Sequence, residues 1–123
     1  METIALKYPE VKNYIDGEFI PNGKNSLEVL SSLSGKIIST VPLSSKSDLE
    51  EAVKAAQNAF PAWSAMPIKE RIQIFYRYKA LLEKNLNQLA TIVHEENGKT
   101  IEEATAEVEK SIELTSLHAP YRN

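Results

Sequence analysis

No cysteine occurs among the 123 residues. Its absence excludes a disulfide framework, a thiolate metal site and a cysteine nucleophile. Glycine is scarce, four residues in all, and none sits in a loop that could cradle phosphate. There are only two histidines, and His94-Glu95-Glu96 lacks the second histidine four residues on that a helical zinc site needs. No apolar run approaches the ~20 residues of a membrane-spanning helix. Residues 1–12 contain no signal-peptide core, which points to a cytoplasmic protein. The formal net charge of -3 is small and of the wrong sign for binding nucleic acid through its phosphates.

With 42% apolar and 25% charged residues the composition is that of an ordinary globular protein. The length suits one domain, or part of one, around a single core. Residues 1–12 show no period and read as a loose amino-terminal arm; residues 13–123 read as a single partial domain, with strands within 13–42 and helices within 47–119. The fold class is α+β and helix-rich: short β-hairpin strands followed by three to four antiparallel helices.

Asp16-Gly17, between Tyr14-Ile15 and Glu18-Phe19-Ile20, is a strong short hairpin signal. Leu27, Val29 and Leu33, then Ile37, Ile38 and Val41, predict two further strands around Ser34-Gly35. At Ser47 the period changes. Ser47-Asp48-Leu49-Glu50 has the spacing of a capping box and opens a first helix that runs to Phe60, with Leu49, Val53, Ala56 and Phe60 on its buried face. Pro61 is expected to end it, Trp63 to pack back on the stripe, and Pro67 to occupy the first position of the next helix.

From there Ile68, Ile72, Phe75, Lys79, Leu82, Leu86, Leu89 and Val93 recur in steps of three and four, the spacing of one helical face. Asn85 and Gln88 repeat the capping-box spacing, so a bend is expected within 84–87. Asn97-Gly98 ends that run, and Thr100 with Glu103 opens a last helix with Ile101, Ala104, Val108, Ile112 and Thr115 along one side, stopped by Pro120.

Charge divides the helical half. Residues 66–93 hold Lys69, Arg71, Arg77, Lys79 and Lys84 against Glu70 and Glu83, whereas residues 99–117 hold Glu102, Glu103, Glu107, Glu109 and Glu113 against Lys99 and Lys110. Lys79, alone in an apolar stripe, is therefore expected to reach Glu107 or Glu109. His94 and His118 read as helix-end residues near the negative end of a helix dipole. The glutamates of the last helix read as a solvated surface rather than a cation site. Tyr76, Arg77 and Tyr78 could bind a single strand, but at helical spacing they read as core and rim residues.

The ordered set Tyr14-Ile15-Asp16-Gly17-Glu18-Phe19, Ser34-Gly35-Lys36-Ile37-Ile38 with Val41-Pro42, Ala52-Val53 to Phe60-Pro61-Ala62-Trp63, Pro67, Arg71, and Glu96-Asn97-Gly98-Lys99-Thr100 with Glu103-Ala104 and Glu107-Val108 resembles the amino-terminal segment of the NAD(P)-dependent aldehyde dehydrogenase superfamily. The resemblance covers residues 13–119 and is nearest the methylmalonate-semialdehyde branch, with succinate-semialdehyde and betaine-aldehyde types close by. One departure is Ser31-Ser32, where many members have Asn-Pro.

What the resemblance implies is oxidation of an aldehyde through a thiohemiacetal on a cysteine, with hydride transfer to NAD(P). The cysteine, the asparagine oxyanion donor, the glutamate base and the dinucleotide-binding stretch of that family have no counterparts in this sequence. No catalytic, cofactor-binding or metal-binding residue is therefore assigned, and no cofactor is expected on this chain. The expectation is a catalytically inactive amino-terminal fragment that self-associates through its exposed apolar helix face, the 68–93 seam. The alternative is a helical interaction module that binds a full-length partner subunit. Neither a nucleic acid nor a membrane is expected as a partner.

Overall fold

The computed structural model describes residues 5–118. The chain divides into two compact units, Met1–Ala62 and Trp63–Asn123.

The first unit holds two antiparallel strand pairs and most of the first helix. Strands β1 (Asn13–Ile15) and β2 (Glu18–Ile20) pair with Tyr14 opposite Phe19. Asp16 (φ 53°) and Gly17 (φ 78°) both lie in the left-handed region, as the two-residue turn of this hairpin requires. The Tyr14 and Phe19 rings meet at 4.9 Å between centroids, and both remain exposed.

Strands β3 (Ser26–Leu30) and β4 (Ile37–Pro42) form the second pair. The register slips between Val29 and Leu30, so Val29 faces Ser39 while Leu30 faces Ile37. Leu33 falls in the turn rather than in a strand. Ser31, 2% exposed, organises that turn: its hydroxyl oxygen accepts from the N–H groups of Leu33 and Ser34, each at 3.2 Å, while its backbone bonds Lys36 and Gly35.

Within the arm, residues 8–11 run along β4 in the same direction. The Tyr8 N–H donates to the Ile38 carbonyl (3.0 Å), Val11 N–H to that of Thr40 (2.8 Å), and the Ser39 hydroxyl to the Pro9 carbonyl (2.7 Å). Pro9, with no N–H of its own, takes part only as acceptor.

Helix α1 (Lys46–Ala65) differs from its expected outline at three points. Its cap is Ser45 with Asp48, not Ser47 with Glu50. The Ser45 N–H and hydroxyl donate to Asp48 Oδ2 at 2.6 and 2.9 Å, and the Asp48 N–H returns to the Ser45 hydroxyl oxygen at 3.2 Å. Second, the helix continues through Pro61. A proline keeps a helical φ and removes only one i→i−4 bond, at a cost of roughly 3 kcal/mol that the four following helical residues show to be met. Third, the stripe expected to be buried is bare: Leu49, Val53 and Phe60 are 63%, 49% and 66% exposed, and no residue of α1 is buried. The alanine side, Ala52, Ala55, Ala56 and Ala59, lines a hollow with the β1–β2 hairpin instead.

In the second unit, α2 (Ile68–Lys84) and α3 (Leu86–Asn97) are separated at Asn85, as the expected bend requires. No reciprocal cap forms there: the Asn85 amide donates backwards to the Leu81 carbonyl at 2.7 Å. Pro67 lies one position outside α2, its carbonyl accepting from Glu70 and Arg71. Gly98, at φ 73°, closes α3 by donating its N–H to the His94 carbonyl at 2.9 Å. Helix α4 (Ile101–His118) opens on the expected box, the Thr100 N–H donating to Glu103 Oε2 (3.1 Å) and the Glu103 N–H to Thr100 Oγ1 (3.2 Å). Pro120, expected to stop it, lies outside the described residues.

The core of this unit is Ala90, Ala104 and Val108, with Leu86, Leu89, Val93 and Ile112 against it. Small alanines at the α3–α4 contact let the two backbones approach closely. The carboxy-terminal half of the 68–93 stripe is therefore occupied by α4, while Ile68 and Phe75 stay 61% and 39% exposed. Lys79 does not reach the last helix. It pairs with Glu83 one turn on, at 3.6 Å, the geometry that i,i+4 spacing supplies.

Candidate functional site

His94 is half-buried at the end of α3, and its Nδ1 bonds the carbonyl of Lys99. A carbonyl can only accept, so Nδ1 carries the proton and the ring ties the two ends of the 98–100 turn together. The chain places the His118 backbone at the last position of α4; its side chain lies outside the described residues.

The α4 carboxylates are distributed over separate tasks. Glu103 closes the cap, Glu107 pairs with Lys99, and Glu113 lies 3.5 Å from Lys110. The Glu107 carboxylate, by hydrogen bond and then by charge, holds the Lys99 ammonium above the usual lysine range. Among the described residues no three His, Cys, Asp or Glu side chains converge as a metal would need.

Tyr76 and Tyr78 are 45% and 53% exposed, so these two belong to the surface and not to the core. They leave α2 on opposite flanks of the face carrying Ile72, Lys79 and Leu82, which is the half-buried one. Arg71, beside that face, keeps its Nε buried with no hydrogen-bond partner among the described residues.

Open hollows occur in the first unit among the described residues. One, about 300 Å³, is lined by Asn13, Asn22, Lys24, Ser44 and Asp48 among others. Asn22 donates through Nδ2 to Glu10 Oε1 (2.8 Å) and to the Val11 carbonyl (2.9 Å), leaving Oδ1 buried without a partner. The Ser45 N–H, and next its hydroxyl, hold the Asp48 carboxyl below the usual aspartate range. In this hollow the Asp48 carboxylate is committed to the Ser45 cap. Two more, about 380 and 250 Å³, lie between the hairpin and α1; both include Tyr14, Ile15 and Ala52, the first adding Ala55, Ala56 and Ala59 and the second Asn13, Ser44, Asp48 and Leu49.

The glycines have local conformational roles. Gly17 and Gly35 serve hairpin turns, Gly98 serves a helix end, and a Cβ at Gly17, Gly23 or Gly35 would meet nothing within 4 Å. The arm, the Ser45 cap and the Asn22 cluster escaped the sequence reading. Only Ser45, three residues before Asp48, left a signal that could have been found.

Among the described residues, two short antiparallel strand pairs precede four helices. The pattern of the aldehyde dehydrogenase family matches residues 19–122, and the chain belongs to that family. Over 115 residues it is 41% identical to the malonate-semialdehyde dehydrogenase of Bacillus cytotoxicus, which covers 93% of this chain and 24% of that protein. Among solved structures it is similar to a methylmalonate-semialdehyde dehydrogenase from Oceanimonas doudoroffii (28% identity, TM-score 0.84, 91% of this chain and 23% of that one). An NAD-dependent aldehyde dehydrogenase from Sinorhizobium meliloti matches as well (28% identity, TM-score 0.85, 93% and 23%). The chain thus spans about a quarter of the length of these relatives, and the resemblance read from residues 13–119 is a family membership.

Proposed function

We propose that the chain is a non-catalytic amino-terminal segment of an NAD(P)-dependent aldehyde dehydrogenase of the malonate- or methylmalonate-semialdehyde type, resident in the cytoplasm. The observation that carries this is a 115-residue match at 41% identity in a chain without a single cysteine. Oxidation of an aldehyde by hydride transfer in this family begins with a thiolate adding to the carbonyl, and no side chain here can replace that thiolate. The residues present do not fit a nicotinamide dinucleotide either, so no step is assigned to this chain through that cofactor.

What the segment retains is shape and apolar surface, and self-association through an exposed apolar helix face is its functional capacity. Exposed stripes on both α1 and α2 support that reading. The bare α1 stripe also favours a second reading, docking onto a full-length family subunit. Purified chain incubated with malonate semialdehyde and NAD is expected to form no NADH, and calorimetric titration with NAD to release no binding heat. Steady NADH formation overturns the proposal. Co-elution of the chain with a full-length subunit, together with a monomeric chain in isolation, favours the docking reading.

A further inference from the structure

We propose that Asn22 is a self-modifying position: its side-chain amide is lost through a succinimide formed with Gly23, and the loss unlatches the amino-terminal arm from β4. Asn22 lies in the connection between β2 and β3. Its Nδ2 ties that connection to the arm, donating to Glu10 Oε1 at 2.8 Å and to the Val11 carbonyl at 2.9 Å. Beside this latch the arm is bonded to β4 through the N–H groups of Tyr8 and Val11 and the carbonyl of Pro9.

The local geometry leaves ring closure open. Gly23 is exposed and lies outside the strands, which end at Ile20 and resume at Ser26. Its N–H has no acceptor among the described residues, so the attacking nitrogen is free, whereas Gly98 gives its N–H to the His94 carbonyl. Nothing crowds the approach, since even a Cβ built on Gly23 would meet no atom within 4 Å. The Asn22 amide is anchored through its nitrogen alone, because Oδ1 is buried without a partner.

The Gly23 nitrogen adds to Cγ of Asn22, the Cγ–Nδ2 bond breaks, and Nδ2 leaves as ammonia with the proton that Gly23 gives up. Water then opens the ring to an aspartyl or isoaspartyl residue, with no change of oxidation state. The Glu10 carboxylate, against Nδ2, favours the protonated amine as it departs. In the product an oxygen that can only accept stands in place of Nδ2. It faces two further acceptors, Glu10 Oε1 and the Val11 carbonyl, and the attraction that held the arm becomes a repulsion.

The test incubates the whole chain at mildly alkaline pH and follows it by peptide mass mapping and amide hydrogen exchange. Asn22 is expected to convert several-fold faster in the parent than in Gly23→Ala, a substitution the open space and the backbone there both accept. Exchange of the Tyr8 and Val11 amides is expected to quicken as conversion proceeds, while that of Val108 in the other unit stays as it was. Asn22→Asp should show the quickened exchange from the outset, and Glu10→Gln added to it should slow the exchange again by turning a donor towards the new carboxylate. Conversion no faster in the parent than in Gly23→Ala overturns the proposal. Conversion that leaves Tyr8 and Val11 as protected as in fresh protein overturns the release of the arm, as does a double variant that exchanges no more slowly than Asn22→Asp alone.

Discussion

Lys99 pairs with Glu107 across the start of α4, eight residues on, and so closes the α3–α4 turn from outside while His94 closes it from within. Both partners are about half exposed, at 43% and 50%, so the contact orders the turn more than it stabilises the fold. Lys99→Met is expected to lower the thermal midpoint slightly, with the difference shrinking in high salt. Since the folded state raises the Lys99 pKa above 10.5, the contribution is complete below that value and disappears as pH rises through the folded one. Midpoints of the two proteins measured up an alkaline series should converge.

The Asp48 carboxyl behaves in the opposite sense. Its pKa is lowered in the folded chain by Ser45, so the stabilisation is present above the ordinary value of 3.8 and is lost as pH falls through the lowered one. Asp48→Ala should therefore match the parent in strong acid and be weaker at neutral pH, followed by helical circular dichroism. Ser45→Ala removes the other half of the cap and is expected to cost about 1 kcal/mol in urea unfolding at neutral pH.

Val108 is the largest residue of the α3–α4 core and is 7% exposed. Val108→Ala deletes two methyl groups and leaves a gap against Ala90 and Ala104, at a cost of about 2 kcal/mol. Unfolding of the second unit should move to lower urea with unchanged slope.

Leu49→Ser and Val53→Ser remove apolar groups that are already in water. Neither should shift the unfolding midpoint appreciably. Both should raise the concentration at which the chain begins to scatter light and should reduce binding of a hydrophobic dye. A large loss of stability in either would mean that the α1 stripe is covered after all.

How much could be read in advance follows the range of each interaction. The Asp16-Gly17 turn, the Asn97-Gly98 helix end and the Thr100–Glu103 box depend on residues within three or four positions, and all were legible. Ser45-x-x-Asp48 and Ser47-x-x-Glu50 have the same spacing, and the backbone's choice between them is not written in either motif. Period alone said which residues of α1 prefer burial; it could not say that the hairpin meets the alanine side. Lys79 had two kinds of carboxylate in prospect, and the nearer, Glu83, was available without any tertiary requirement, while Glu107 was claimed by Lys99. In the candidate site the Asn22 cluster joins residues from separate segments, which no short-range pattern announces.

The capped end of α3 also bears on chemical ageing. An Asn-Gly pair in a free chain deamidates when the glycine nitrogen attacks the asparagine side-chain carbonyl. At Asn97-Gly98 that nitrogen gives its hydrogen to the His94 carbonyl, and the asparagine amide is held by Glu96 at 2.6 Å. On storage the folded protein should therefore keep Asn97 intact far longer than a peptide of the same local sequence, a difference that mass spectrometry of the two would register.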